Sequence, residues 1–342
     1  MGVVFSIPAP LRSTKESVAP SAPVLTCVSP CGGTGQPCRR DFDRSTPSKW
    51  NLLVCGIAGL IGRLDERNRA ALKRMSDALE HRGPDADATW EATPDDRGWG
   101  AMLAHRRLAI LDLSPAGVQP MIDAVTGHVL AYNGEVYNYV DLRRELEAKG
   151  ERLGSSGDTA VILRYLGLQG AEAVARFRGM YAFACWDQSQ RRLLLARDRL
   201  GIKPLHVVRA TSPDAGWSIA FASELRALLA SGLVETRRLD PMSVASCVWS
   251  GFTIGPNTAV ESIEMLAPGQ VVELDGAGNT IRDEIFLRKA GRVGAGPISE
   301  DELANTLEES IRLHLASDVP LAVFLSGGID SSAIANIAQR SS

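Results

Sequence analysis

The seven residues Ser326-Gly327-Gly328-Ile329-Asp330-Ser331-Ser332 stand between an apolar run at 321–325 and an alanine-rich stretch that begins at Ala333. Such an order reads as a strand, a glycine turn and a helix start. It gathers unpaired backbone N–H groups and the positive end of a helix into one anion cradle of a size that suits a pyrophosphate. No lysine follows the glycines, so this is not the GxxxxGK[ST] loop, and a nucleotide here would be held by backbone amides and hydroxyls. Just upstream, Ser299 and Glu302 have capping-box spacing, and Leu303, Leu307, Ile311 and Leu315 run down one face of the helix that follows. Helix, buried strand, anion loop and helix together are the opening of a parallel α/β domain. Only ten residues follow Ser332, whereas such a domain needs roughly a hundred, so the expectation is a domain cut short.

The 342 residues leave room for about two domains. A formal charge of −3 and an apolar content of 45% are ordinary for a globular protein and give no reason to expect nucleic acid as a partner. The longest apolar stretch, 52–62, has 11 residues and three glycines, against the roughly 18 that a membrane span needs, so no membrane association is expected. Six cysteines at 27, 31, 38, 55, 185 and 247 are too sparse for a disulfide scaffold. A reducing cytoplasm is the expected compartment.

Residues 1–54 are rich in Pro, Ser and Thr and lack hydrophobic periodicity, which reads as a disordered or non-native extension. Cys27, Cys31 and Cys38 match no common zinc spacing, and no histidine precedes His81. From Val54 onward the pattern is regular. Strands are predicted at 54–62, 102–111, 129–132, 181–187, 192–198, 204–209 and 217–222, and helices at 65–79, 139–149, 158–168 and 171–177. Many antiparallel strands with a few helices argue for an α+β layered sandwich. A loop-rich connector is read at 237–298, with turns at Pro268-Gly269 and Asp275-Gly276. The domain boundaries expected are therefore 55–236, 237–298 and 299–342.

Within that first domain occur Cys55-Gly56-Ile57-Ala58-Gly59, His81-Arg82-Gly83-Pro84-Asp85, His105-Arg106-Arg107-Leu108, Asn133-Gly134-Glu135-Val136-Tyr137-Asn138, Ser156-Gly157-Asp158-Thr159 and Ala196-Arg197-Asp198 with Gly201. The series resembles the class II glutamine amidotransferases of the N-terminal-nucleophile type. With the anion loop behind it, which looks like the PP-loop of enzymes that adenylate a carboxylate, it is similar to the glutamine-hydrolysing asparagine synthetases. The resemblance implies a four-layer αββα sandwich followed by the start of a PP-loop domain of the adenine nucleotide α-hydrolase type. It implies an ATP-dependent carbon–nitrogen ligase with glutamine as amido donor and aspartate as acceptor, ATP and Mg2+ at the second site, and allows a homodimer.

Amide hydrolysis needs a nucleophile better than water, and a thiol beside a base of near-neutral pKa supplies one. In the family the cysteine is the first residue and its own α-amine is that base. Such an amine titrates near 7.7–8, whereas a peptide nitrogen cannot take the proton. Cys55 joined to Val54 is thus expected to be inactive until a propeptide is removed or unless translation starts at codon 54, the second being favoured. On its own Cys55 reads better as a small buried hydrophobe in a strand.

Asn133 and Gly134 fit an oxyanion hole, although Asn-Gly alone is also a common hairpin turn. By resemblance, Arg107 forks onto the α-carboxylate of glutamine, Glu135 and Asp158 face its α-ammonium, and Leu108, Ala109, Ile110 and Leu111 line the pocket. Asp158 is also read as a helix N-cap. The ATP site expected is Leu325, Ser326, Gly327, Gly328, Ile329, Asp330, Ser331 and Ser332, with Ser326 and Ser331 on phosphate oxygens and Asp330 near Mg2+. His81, His105, His128, Asp198 and Lys203 are given no catalytic part. A fragment with at most glutaminase activity, or an amide synthetase for another carboxylate, remains the alternative.

Overall fold

In the computed structural model, the described residues are 54–235, 238–286, 298–319 and 321–341, together with the backbone of two short strands, β1 (Val4–Ser6) and β2 (Leu25–Cys27). Of the extension expected at 1–54, residues 1–53 otherwise lie outside the described residues.

The larger compact unit, Leu52–Leu108 with Ser114–Ala290, is built around β3 (Gly56–Arg63), α1 (Glu66–Ala78), β4 (Ala86–Glu91), β5 (Trp99–Arg107), β6 (Met121–Ile122), β7 (His128–Val136), α2 (Tyr139–Ala148), α3 (Asp158–Gln169), β8 (Gly179–Asp187), β9 (Arg192–Arg197), β10 (His206–Arg209), β11 (Trp217–Ala222), α4 (Leu225–Ala230), α5 (Pro241–Ser250), β12 (Ile263–Met265), β13 (Gln270–Leu274) and β14 (Thr280–Ile285). The strands form two six-stranded antiparallel sheets of order β12-β10-β11-β3-β5-β4 and β14-β13-β9-β8-β7-β6.

Alternation along the central strands explains the layering. In β3, Ile57 and Ile61 enter the core between the sheets, whereas Ala58 and Leu60 pack with Leu72 and Met75 of α1 and Leu228 of α4. In β8, Ala182, Ala184 and Trp186 face the inter-sheet core, and Tyr181, Phe183 and Cys185 pack with Val161, Ile162 and Tyr165 of α3. A strand buried on both faces reads as a continuous apolar run, and each fully buried Ile, Leu or Phe contributes about 1.5–3 kcal/mol. The result is the αββα four-layer sandwich expected from the sequence.

Local differences have physical causes. The strand predicted at 102–111 stops at Arg107, because the backbone of Leu108 turns to bond a side chain of β3's flank instead of a strand. The strand predicted at 129–132 runs on to Val136, since Asn133-Gly134 pairs with Ala182 and Tyr181 instead of turning. The helix predicted at 171–177 is a 3-10 helix, Gly170–Arg176. The loop-rich reading of 237–298 is corrected: its short apolar segments form α5, and β12, β13 and β14 extend both sheets. Their alternation was hidden by the turns between them.

The second unit comprises Met1–Asn51, Ala109–Leu113 and Gly291–Ser342. It holds α6 (Glu300–His314), β15 (Leu321–Phe324) and α7 (Ile329–Ser341), with β15 between β1 and β2. Ser299 caps α6, its hydroxyl accepting the Glu302 N–H at 3.2 Å. Among the described residues no helix is long and apolar enough to cross a membrane.

Candidate active site

Cys55 lies just before β3, whose first residue, Gly56, pairs with Arg106 of β5. That register carries Leu108 past the thiol. The Leu108 N–H donates to Sγ at 3.4 Å, and the thiol points to the Leu108 carbonyl at 3.5 Å. From the other side, Arg82 donates Nε to the Cys55 carbonyl at 3.0 Å and Nη1 to Glu224 at 2.8 Å, while its own carbonyl accepts the Val54 N–H at 3.1 Å. The His-Arg-Gly-Pro-Asp segment thus shapes the site through Arg82. His81 is held by Glu224 at 2.9 Å. Gly83 is required by a close approach, because a Cβ there would stand 2.4 Å from the Arg106 carbonyl.

The two neighbouring arginines part company. Arg106 reaches α1, donating to the Ser76 carbonyl at 3.0 Å and to Asp77 at 2.8 Å. Arg107 is buried, donates to the Ser114 carbonyl at 3.1 Å, and acts electrostatically on Cys55. Burial pushes the Cys55 thiol above its ordinary range; the Leu108 N–H and then the charges of Lys203, Arg107 and Arg82 oppose that rise.

Asn133, Gly134 and Glu135 are consecutive in β7, opposite Ala182, Tyr181 and Met180. A Cβ at Gly134 would lie 2.2 Å from the Met180 carbonyl oxygen, so only glycine lets the two strands approach this closely. Asn133 is 1% exposed, and neither its amide oxygen nor its amide nitrogen has a hydrogen-bond partner. Buried polar atoms are normally paired, so two orphans on one side chain mark a place prepared for something else. Oε1 of Glu135 is likewise unpartnered. Burial, then the charge of Asp158, pushes the Glu135 carboxyl up to about 8, with Lys203 opposing.

Asp158 is the first residue of α3, and the N-cap is Gly157, which corrects the N-cap reading. Its Oδ2 accepts the Tyr132 hydroxyl at 2.7 Å and the Val136 N–H at 3.0 Å, tying α3 to β7. Burial nevertheless raises its carboxyl above the usual range. His105 is buried with Nε2 at 3.0 Å from the Tyr132 carbonyl, and burial lowers it to about 4, so it is neutral. His128 stands 3.6 Å from Asp187.

Ala109, Ile110 and Leu111 group with the second unit. There the Ile110 carbonyl accepts the Asp318 N–H at 3.1 Å, and the Asp112 N–H donates to the Asp318 carboxylate at 2.7 Å. In the same unit, Leu325 to Ser332 run from the end of β15 into the first turn of α7. Gly327 has φ of 80°, and Ser326, Gly328, Ile329 and Asp330 are exposed. The Ser331 hydroxyl is buried and serves the loop itself, donating to the Gly328 carbonyl at 3.1 Å and lying 3.0 Å from the Ser326 hydroxyl. Ser332 also donates to the Gly328 carbonyl, at 2.8 Å.

Two residues that the sequence reading left aside stand at the site: Arg82, on the Cys55 carbonyl, and Lys203, whose charge acts on both Cys55 and Glu135. Arg82 is inside a recognised motif but unmarked as the member that touches Cys55. Lys203 follows a turn whose function no spacing reveals.

Residues 54–284 match the glutamine amidotransferase domain family, and residues 302–342 match the asparagine synthase family. The chain is 32% identical over 294 residues to asparagine synthetase (glutamine-hydrolysing) 3 of Bacillus subtilis, covering 83% of this chain and 45% of that protein. It is 32% identical over 292 residues to asparagine synthetase B (glutamine-hydrolysing) of Escherichia coli, covering 84% and 45% respectively. The chain thus spans about half the length of the curated relatives it matches. Among solved structures, that of the allosteric regulatory enzyme of purine biosynthesis aligns with 83% of this chain and 63% of its own, at a TM-score of 0.50 and 17% identity, a likeness of fold.

Proposed function

The chain belongs to the glutamine amidotransferase family, and from that premise we propose that Cys55 hydrolyses the side-chain amide of glutamine and that the ammonia amidates an ATP-activated carboxylate, that of aspartate. The observation that carries the reading is the company of the thiol. Arg107, Arg82 and Lys203 act on the sulfur, and Lys203 links it electrostatically to Glu135, which is in turn coupled to Asp158. A nucleophile set among cations with an acid pair close by is what a zwitterion carrying a carboxamide would meet.

In this reading Arg107 binds the α-carboxylate, and Glu135 with Asp158 binds the α-ammonium. The free α-amine of Cys55 takes the thiol proton as the sulfur attacks the carboxamide carbon. The negative oxygen that forms is stabilised by Asn133 and the Gly134 N–H, at about 2.7–4 kcal/mol per donor. Collapse breaks the carbon–nitrogen bond, and the ammonium returns its proton to the leaving ammonia. Water, deprotonated by the same amine, hydrolyses the thioester to glutamate and restores the thiol. Cys55 must therefore have its nitrogen free, by start at codon 54 or by cleavage after Val54.

ATP is assigned to Leu325, Ser326, Gly327, Gly328, Ile329, Asp330, Ser331 and Ser332, with release of pyrophosphate. The open glycine turn at the start of α7 supports this, as does the hydroxyl brace that holds it. Among the described residues no group of three His, Cys, Asp or Glu could hold a metal. In this reading Mg2+ would be carried on the phosphate oxygens, with Asp330 as its protein carboxylate. Aspartate as acceptor rests on the asparagine synthase match at 302–342. The cytoplasm is the compartment we assign, on the sparse and uneven spacing of the six cysteines in the sequence.

The test is ammonia release from glutamine by a chain that begins at Cys55, beside its Cys55→Ala variant and the 1–342 chain. Activity in the first alone is expected. A folded but inert trimmed chain sinks the reading, and so does equal activity of an intact 1–342 chain whose mass shows no processing.

A further inference from the structure

β11 runs antiparallel to β3 with Ala222 opposite Ala58, and the pairing continues past the end of the strand. The Ser223 N–H donates to the Ile57 carbonyl at 2.9 Å, and the Ser223 hydroxyl accepts the Ile57 N–H at 3.0 Å. Glu224 is thereby set beside the chain that leads from Cys55 into β3. It is the N-cap residue of α4, yet its side chain makes no capping bond. The carboxylate is turned to three nitrogen groups instead. Its Oε1 accepts from Nη1 of Arg82 at 2.8 Å and stands 2.9 Å from Nε2 of His81, while Oε2 stands 2.8 Å from Nε of Arg226. Arg226 in turn donates to the Ala78 carbonyl at 2.7 Å and reaches the His81 ring.

We propose that Glu224 is a positioning residue for the Cys55 nucleophile and acts through Arg82. This rests on Cys55 being the nucleophile of the proposed function. Arg82 is a bridge with two anchors, its Nε–H on the Cys55 carbonyl at 3.0 Å and its Nη1 on Glu224. A guanidinium is rigid and planar, so holding Nη1 fixes the direction in which Nε–H points. The Arg82 side chain is only 10% exposed. Without its carboxylate it would be a nearly buried, uncompensated charge and would swing towards another acceptor. The Cys55 carbonyl carbon is bonded to the Cα that carries both the nitrogen and the thiol arm, so its orientation directs both. The thiol end is met separately, by the Leu108 N–H at 3.4 Å. Arg107, Glu135 and Asp158, proposed to bind glutamine, sit on β5, β7 and α3. Loss of Glu224 should therefore slow the chemical step and leave substrate binding intact.

The experiment measures kcat and KM for ammonia release by the chain beginning at Cys55, in Glu224→Ala, Arg82→Ala and the double variant. Glu224→Ala should lower kcat by about 10–10²-fold, the cost of misplacing a reacting group by up to about 1 Å, with KM within about twofold of wild type. The double variant should be no slower than Arg82→Ala, because the two residues act as one unit. Glu224→Gln keeps an acceptor oxygen for Nη1, and its kcat should fall between those of wild type and Glu224→Ala. Where Glu224→Ala does not fold, Glu224→Gln decides: a lowered kcat at constant KM supports the bridge, and a wild-type kcat overturns it. A second readout needs no turnover. In the isotope-labelled 1–342 chain the Arg82 Nε–H resonance, assigned by its loss in Arg82→Lys, should exchange slowly with solvent, and at least about tenfold faster in Glu224→Ala or Glu224→Gln. An inert wild-type chain beginning at Cys55 would sink the proposed function and leave the exchange rate to decide the bridge. A wild-type kcat in Glu224→Ala, a loss carried by KM, additive losses in the double variant, or an Arg82 Nε–H that exchanges equally slowly without Glu224 overturns the proposal.

Discussion

Replacement of Asn133 by leucine separates what this residue does for the fold from what it does for the reaction. Both amide atoms of Asn133 are buried in β7 without a partner, in a residue 1% exposed. An unsatisfied buried donor or acceptor costs about 1–3 kcal/mol. Leucine has nearly the same shape and no polar atom, so Asn133→Leu removes two such penalties. Imperfect fit of the second methyl group offsets part of the gain, leaving a net stabilisation of about 1–2 kcal/mol. For a unit of this size that raises the melting temperature by about 2–8 °C. In the proposed reaction the same change deletes one oxyanion donor, and kcat for ammonia release should fall by about 10²–10³ with KM little changed. Circular dichroism melts and steady-state kinetics on the chain beginning at Cys55 read the two effects separately. A lower melting temperature together with an unchanged kcat would falsify the argument, because it would mean that the amide is satisfied within the fold and idle in the reaction.

Glu135→Gln tests the buried carboxyl. Its folded-state value of about 8 lies above its ordinary 4.5, so the folded form holds the proton more tightly and stability falls as pH rises through that window. The urea midpoint of the wild-type chain should decline from about pH 5 to 8 more steeply than that of the variant; parallel curves refute the burial argument. Gly134→Ala sets a methyl group 2.2 Å from the Met180 carbonyl oxygen and should destabilise by at least about 3 kcal/mol or prevent folding, read as a lost or lowered urea midpoint. A wild-type midpoint would show that the strands have room. The His105 ring, lowered to about 4 from 6.5, should stay neutral by NMR down to about pH 5. Because the unfolded chain binds that proton first, stability declines as pH drops from 6.5 towards 4; protonation near 6.5 in the native state contradicts this.

The sandwich was legible where apolar runs were long and uninterrupted. The runs of β3 and β8 each bury both faces, and apolar spacing at Ala71, Leu72 and Met75 defines α1. It was least legible where pairing depends on distant partners. The segments that become β12, β13 and β14 are three to six residues long between glycine turns, and only the edges of sheets already formed give them a place. The motif order put forward Cys55, Arg107, Asn133 and Glu135, and the two neighbouring arginines are separated by α1, which takes Arg106 through Ser76 and Asp77. Lys203 was invisible for a similar reason. Nothing in a Gly-Ile-Lys-Pro sequence reports that Asp198 and Arg197 clamp its backbone and send the side chain inward.

The charge inventory of the site leads to one more measurable consequence. Glu135 and Asp158 disfavour each other's ionisation, and with a value of about 8 Glu135 is mostly protonated at pH 7. An ammonium group placed between them reverses that preference, since an opposite charge within a few ångströms favours the carboxylate. Binding of an α-amino acid should therefore expel the Glu135 proton into solvent, about 0.9 proton per molecule bound at pH 7 if the carboxyl becomes fully ionised. Calorimetric titration of glutamine into the Cys55→Ala chain, repeated in buffers of different ionisation enthalpy, counts that proton directly and without turnover. The count should shrink towards zero above about pH 9, where the carboxyl is already ionised, and should vanish in Glu135→Gln. Binding that releases no proton in the wild-type site at pH 7 would place the ammonium elsewhere, and would leave the acid pair as an unexplained source of strain in an otherwise well-packed sandwich.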